Sequence, residues 1–294
     1  MKQAVLITAY KNYRHLEQIL QFFDDDCFNI YIHLDKKSDI LNFELARLEA
    51  YQNLRLISRK YKVNWGGFNH LKSILLISEI ALNNPDNQYF HLISGHDFPI
   101  KKSSYFKEFF KKNKEKDFLN SFEVPFSGWA NNGGLDRIEY YNLFDLLDFK
   151  NPKQKPWINK FLDIQKRFGR KRSVSPQMPK LYGGSTWWSL SRKSLEYVVR
   201  YTANNNKVFN RFKHTFCSEE FYFPTVIMNS HLKPRVNNNS LRYIDWNARN
   251  GNNPAILDES DYPKILRSDA VFARKFEYPH SKSLIKKIHD SLHE

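Results

Sequence analysis

Two short stretches hold residue types that could do chemistry. In "FHLISGHDFPIKK", residues 90–102, an apolar run from Phe90 to Ile93 breaks into Ser94-Gly95-His96-Asp97 and closes on Pro99 and two lysines. A polar cluster at the end of a core strand is where α/β proteins keep their ligands. Asp97 and His96 there could bind a metal, take part in catalysis or only shape a turn. In "CSEEFYFPTVIMNS", residues 217–230, Glu219 and Glu220 open a helix that is otherwise apolar. Adjacent helical residues point about 100° apart, so one of the two can face a cleft while the other does not. A carboxylate placed that way can act as a general base. Alternatively, both complement the positive N-terminal end of the helix.

The elements that must position these residues alternate in type. Ala4–Thr8, Phe28–Leu34, Leu54–Ile57 and Tyr89–Ile93 are strand-like. Between them His15–Phe23, Ile40–Tyr51 and Phe68–Leu82 carry apolar residues at helical spacing, and Ser103–Phe110 follows as a short helix begun by a capping serine. This βαβαβαβ order predicts an α/β fold with a mostly parallel central sheet flanked by helices and right-handed crossovers. Ligands then belong outside the C-terminal strand ends, at residues 9–13, 35–38, 63–67 and 94–99. In the second half, residues 181–191 and 241–246 read as strands and 194–202 and 218–230 as helices, whereas 150–179, rich in Pro, Lys and Arg, reads as a surface excursion. From His280 onward Leu284, Ile285, Ile288 and Leu292 share one face beside Lys282, Lys286 and Lys287. No internal repeat or flexible linker divides the chain.

Composition excludes several classes. The 294 residues are 41% hydrophobic with 24 Phe and 16 Tyr, which suits a large core and not disorder. Two cysteines, Cys27 and Cys217, make no disulfide framework or thiolate metal site, and a reducing compartment is expected. The first apolar run is too short for a signal peptide, and no segment reaches the roughly 18 apolar residues of a membrane span. The formal charge of +15 suits an anionic membrane, phosphorylated substrates or nucleic acid, or it is simply a solvated basic surface. No zinc-finger spacing, RNA-binding aromatic signature or long basic arm accompanies it, so no nucleic-acid partner is expected. Neither a dinucleotide fingerprint nor a phosphate-loop lysine motif, a nucleophile elbow or a zinc-protease helix is present. The only Asp-x-Asp spacing, Asp24-Asp25-Asp26, falls between the first helix and the second strand. That is the wrong end of the sheet for a metal-binding sugar-nucleotide loop.

Taken together, residues 90–101, "YGGSTWWSLSRKSLEYVV", "CSEEFYFPTVIMNS", "LRYIDW" and "SDAVFARKF" resemble the core-2/I-branching β-1,6-N-acetylglucosaminyltransferases and the related peptide O-xylosyltransferases. These motifs keep the family's order from residue 4 to about 277. The resemblance implies a GT-A type fold over residues 1–279, with a nucleotide half to about residue 122 and an acceptor and catalytic half from 123. It also implies inverting transfer from a UDP-sugar to a glycan, with no metal ion or other cofactor. The family's base matches Glu220, and its diphosphate lysine matches Lys275. The family's second cation, an arginine, has no ungapped match. Counting back from Lys275 reaches Asn252, with Arg249 the nearest arginine and Arg274 and Arg242 as further candidates. Asp35, with Lys36, matches the acid that meets the nucleoside. Ala9 and Tyr10 are expected to line the uracil pocket, Trp65 in the entry loop of the third helix is either a donor-side residue or a core wedge, and Asp97 orients backbone or donor sugar. Glu123 and Arg137 match polar residues that hold the acceptor sugar, and Trp187 and Trp188 offer ring faces for it.

Family members in the Golgi carry an anchor, and none is read here. The expectation is therefore a cytoplasmic, bacterial-type enzyme of surface polysaccharide assembly. Its acceptor would be a lipid-linked oligosaccharide, and its basic tail, residues 280–294, would lie on anionic lipid at the inner membrane face. A GlcNAc-like donor and a xylosyl, galactosyl, galactofuranosyl or glucuronyl donor all remain open. A non-enzymatic basic nucleic-acid binder is the alternative from another class.

Overall fold

The computed structural model describes residues 1–173 and 177–293. Twelve strands are used below. They are β1 (Lys2–Ala9), β2 (Phe28–Leu34), β3 (Leu54–Ser58), β4 (Asn87–Ser94), β5 (Asp97–Pro99), β6 (Asp117–Leu119), β7 (Phe122–Glu123), β8 (Tyr182–Gly183), β9 (Trp188–Ser191), β10 (Val236–Asn237), β11 (Arg242–Ile244) and β12 (Phe272–Arg274). The main sheet runs β10-β6-β9-β4-β1-β2-β3. Its β4, β1, β2 and β3 are parallel, while β9 runs antiparallel between β4 and β6.

β1 shows why its sequence is a continuous apolar run. Alternate residues of a strand point to opposite faces. Val5 and Ile7 enter one core with the helix Tyr13–Phe22, the helix Ser103–Lys112 and the helix Lys282–His293. Ala4 and Leu6 enter the other core with the helices Phe68–Leu82, Arg192–Asn204 and Glu219–Met228. Both faces are covered, as parallel sheets require.

A small second sheet, β11-β12-β5, sits beside the C-terminal end of β4. β5 is the continuation of β4 after the Ser94–Asp97 turn, and Asp97 pairs in register with Arg274 of β12. This sheet carries the chain's last third to the strand ends. β9 and β10, from beyond residue 122, extend the sheet that the first half begins.

Several expected elements take another form. The strand at 181–191 is two strands, β8 and β9, on either side of residues 184–187, where Gly184 packs so close to the Asn120 carbonyl that an added Cβ would lie 1.9 Å from its oxygen. Ser103 is the first helical residue and not the cap, and its hydroxyl faces Asp25 at 3.4 Å. The segment 150–179 contains a helix, Lys155–Arg167. Asp25 in the acidic turn accepts from the Cys27 amide and from Lys107, consistent with a helix-to-strand turn. The tail helix is the largest change from expectation. Leu284, Ile285 and Ile288 are fully buried in the core shared with β1, so its apolar face is not available to a bilayer. Among the described residues no helix is long and apolar enough to cross a membrane.

Candidate active site

Most of the candidate residues gather where β1, β2, β4 and β12 end. Asp97 is fully buried. Its Oδ2 accepts from the amide (2.8 Å) and hydroxyl of Ser94, and its Oδ1 lies 3.7 Å from Arg274 Nε. Asp97 therefore closes the turn and faces a cation. Among the described residues no three His, Cys, Asp or Glu side chains gather to hold a metal ion.

Arg274 lies flat on Trp187, with its guanidinium carbon 4.1 Å from the ring centroid. Its Nε is buried without a hydrogen-bond partner. Burial pulls its pKa down, against the opposing pull of Asp97 and Glu220. Lys275 is half-buried, and its Nζ lies 3.4 Å from Asn252 Oδ1. Burial first, then Arg274 and Lys150, lower its pKa to about 8. Two adjacent cations with so little anionic company form a site that favours an anion.

Across from them, the Glu219–Met228 helix begins after Cys217, which holds a left-handed φ of 50° and donates its amide to Gly66 O. Glu219 and Glu220 are the first two residues of this helix and point about 100° apart. Glu220 keeps 28% of its side chain exposed and pairs with Arg137 at 2.6 Å. Arg137 is itself held among the rings of Trp129, Phe216 and Phe221 at 4.2, 5.1 and 4.9 Å. Burial raises the Glu220 pKa, Arg137 lowers it and Glu219 raises it, with a net rise. A carboxylate with a raised pKa is a stronger proton acceptor, which suits general-base work. Glu219 turns inward. Its Oε1 meets His70 Nδ1 at 3.0 Å, its Oε2 has no partner, and His70 Nε2 reaches Thr8 Oγ1 at 3.4 Å. The sequence reading missed His70, which shares the Gly66-Gly67 entry to its helix with Trp65.

On the nucleotide side, Asp35 is buried, and its Oδ1 accepts from the amides of Lys37 and Val63. It braces two loops as an Asx turn does. Lys36 is exposed, and Lys37 instead reaches Asn64 and Asp148. Ala9 is buried, while Tyr10 is exposed with its ring 5.6 Å from that of His96. Trp65 is 46% exposed and leans on Phe144, Phe149 and Phe216, so it forms a wall at the mouth and not a core wedge.

Four expected site residues take other positions. Arg249 turns to Asp245, Asp258 and Asp261 at 3.4, 2.8 and 2.5 Å, so its charge is already answered. Trp188 is buried against Phe223 and offers no face to a sugar. Trp187 has its ring covered by Arg274. Glu123 lies on the exposed edge strand β7, paired with Lys180 at 2.6 Å.

Residues 4–266 match the model of the family described as Core-2/I-Branching enzyme. The chain belongs to that family. A xylosyltransferase of Ciona intestinalis is 27% identical over 93% of this chain and 32% of its own length. Human xylosyltransferase 2 is 28% identical over 93% of this chain and 31% of its own length. The chain thus spans about a third of the length of these curated relatives. Among solved structures, residues 1–349 of S. aureus TarS superpose with a TM-score of 0.40 at 12% identity, covering 80% of this chain and 57% of that one.

Proposed function

We propose that this family member is an inverting glycosyltransferase that moves a sugar from a UDP-sugar to a glycan hydroxyl without a metal ion. The observation that carries the reading is the Glu220 carboxylate, held by Arg137 at 2.6 Å and near enough for its charge to act on Arg274, with Arg274 and Lys275 adjacent and carrying little anionic company. Glu220 removes the proton from the acceptor hydroxyl. The resulting oxygen attacks the anomeric carbon from the face opposite the nucleotide. The bond from that carbon to the diphosphate oxygen breaks, and UDP leaves with its new negative charge beside Lys275 and Arg274. Arg137 orients Glu220 and keeps it ionised, and it presents guanidinium N–H groups to acceptor hydroxyls. Asp35, Ala9 and Tyr10 line the nucleoside end.

Glu220→Gln should lower transfer by roughly a hundredfold to ten-thousandfold, the share a positioned base supplies, with UDP affinity retained. Full transfer by that variant would remove Glu220 from the mechanism. Activity that survives EDTA supports metal independence, and strict Mn²⁺ dependence would overturn it.

The relatives are named xylosyltransferases, which favours a pentosyl donor as the second reading beside a GlcNAc-like one. Competition between UDP-xylose and UDP-GlcNAc for transfer separates the two. The proposed setting is cytoplasmic assembly of a surface polysaccharide on a lipid-linked oligosaccharide. Because the tail helix buries its apolar face, its contact with anionic lipid would be electrostatic, through the exposed Lys282, Lys286 and Lys287. Flotation with anionic vesicles tests this: binding should vanish in high salt and in a triple Lys→Gln chain.

A further inference from the structure

This inference rests on the UDP-sugar reading. The family's second diphosphate cation counts onto Asn252, and the nearest arginine, Arg249, is held by three aspartates. Yet the corner beside Lys275 carries more positive charge than those two positions account for. Tyr10 stands exposed at the end of β1, with two ammonium groups over its ring, Lys11 Nζ at 5.6 Å and Lys150 Nζ at 5.5 Å. The same ring touches His96, whose carbonyl accepts from the amide of Phe276 at 2.8 Å, one residue past Lys275. Lys150 and Lys275 therefore flank one corner, although 125 residues of sequence separate them.

The two ammonium groups on Tyr10 differ. Lys11 is paired with Glu277. Lys150 has no carboxylate on its ammonium among the described residues. Its neighbour Asp148 accepts from the Lys150 backbone amide at 2.9 Å and turns its other oxygen to Lys37. A ring face holds an exposed ammonium by only about 0.5–1 kcal/mol, and it leaves the three N–H donors free. Counted together, Arg274, Lys275, Lys11 and Lys150 have Asp97 and Glu277 among them, and Glu220, which Arg274 also senses, is already paired with Arg137. Two positive charges stay unanswered, which is the complement of a diphosphate.

We propose that Lys150 is a further diphosphate-binding cation of this chain beside Lys275 and Arg274, supplied by the segment that follows residue 140 and not by the loop that precedes Lys275. A lysine suits the role because its compact charge can follow the phosphate as the leaving group develops. Asn252, in the family's arginine position, then keeps the lesser task of accepting from Lys275.

Calorimetric titration of uridine, UMP and UDP into the wild type, Lys150→Gln and Lys153→Gln tests this. Lys153 is an exposed neighbour and controls for general surface charge. The Lys150 variant should bind UDP about ten- to a hundredfold more weakly, the worth of one charge-assisted contact. Its uridine affinity, and all affinities of the Lys153 variant, should be unchanged. UDP affinity at the wild-type level in Lys150→Gln overturns the proposal. An equal loss for uridine and UDP also overturns it, because Lys150 would then act only by steadying Tyr10. A wild type that binds none of the three defeats the donor reading itself, a distinct outcome.

Discussion

Arg249 and the Arg274–Lys275 pair lie within 26 residues of one another and handle charge in opposite ways. Arg249 is partly exposed and has three carboxylates within 3.4 Å, one of them the fully buried Asp261. Arg274 is buried and, among the described residues, has only Asp97 within ion-pair distance, at 3.7 Å. Lys275 beside it meets an amide oxygen and, among the described residues, no carboxylate within ion-pair distance. A cation whose field is already answered holds a loop together. A cation that stays unanswered after paying its desolvation penalty marks a place where a ligand completes the structure.

The sharpest way to break this contrast is to remove each charge in turn. Lys275→Gln should cost roughly a hundred- to a thousandfold in kcat/KM, as loss of one preorganised partner of a developing anion does, with little change in melting temperature. Arg249→Gln should do the reverse. Leaving Asp261 buried and unpaired should cost about 2–4 kcal/mol of stability, read by denaturant unfolding, at unchanged UDP affinity. If Arg249→Gln loses UDP affinity as Lys275→Gln does, the two regions are not different in kind.

A smaller effect is set by pH. Lys275 is charged below its lowered pKa of about 8 and neutral above it. Wild-type UDP affinity should therefore fall as pH rises through 8, and this fall should be absent in Lys275→Gln. The smallest effect belongs to the opposite wall. Glu219 raises the Glu220 pKa and Arg137 lowers it. The acid limb of kcat/KM should move to lower pH in Glu219→Gln and to higher pH in Arg137→Gln. Shifts of the same sign would show that the pH dependence does not come from Glu220.

The parallel sheet was legible because both faces of β1 and β4 are buried, which writes a continuous apolar run into the sequence. Motif position singled out Glu220, Lys275 and Asp97, and the fold puts the charge of each within electrostatic reach of Arg274. Asp97 could be assigned to its turn only once Ser94 was seen to donate to it. The tryptophan pair could not be assigned, since a sugar-stacking ring and a buried ring have the same composition. Trp188 packs on Phe223 and Trp187 carries Arg274. His70 and Lys150 were illegible for another reason. They lie 149 residues from Glu219 and 140 from Tyr10, and nothing local to either encodes the pairing. Arg249 misled because proximity in sequence to the family position says nothing about the three aspartates folded around it.

The tail helix sets an order of events for synthesis. Its Leu284, Ile285 and Ile288 belong to the same core as Val5 and Ile7 of β1. Glu277, just before it, holds Lys11 across 266 residues, and Tyr278 reaches Gln18 across 260. A nascent chain that has emerged only as far as β4 has its nucleotide-side strands but lacks the wall that closes them. Contacts this distant in sequence make folding slow and leave apolar surface open in the meantime. The corner that would bind UDP thus cannot close until residues 272–278 have been made, and a chain stopped short of them should be found by proteases before it is found by substrate.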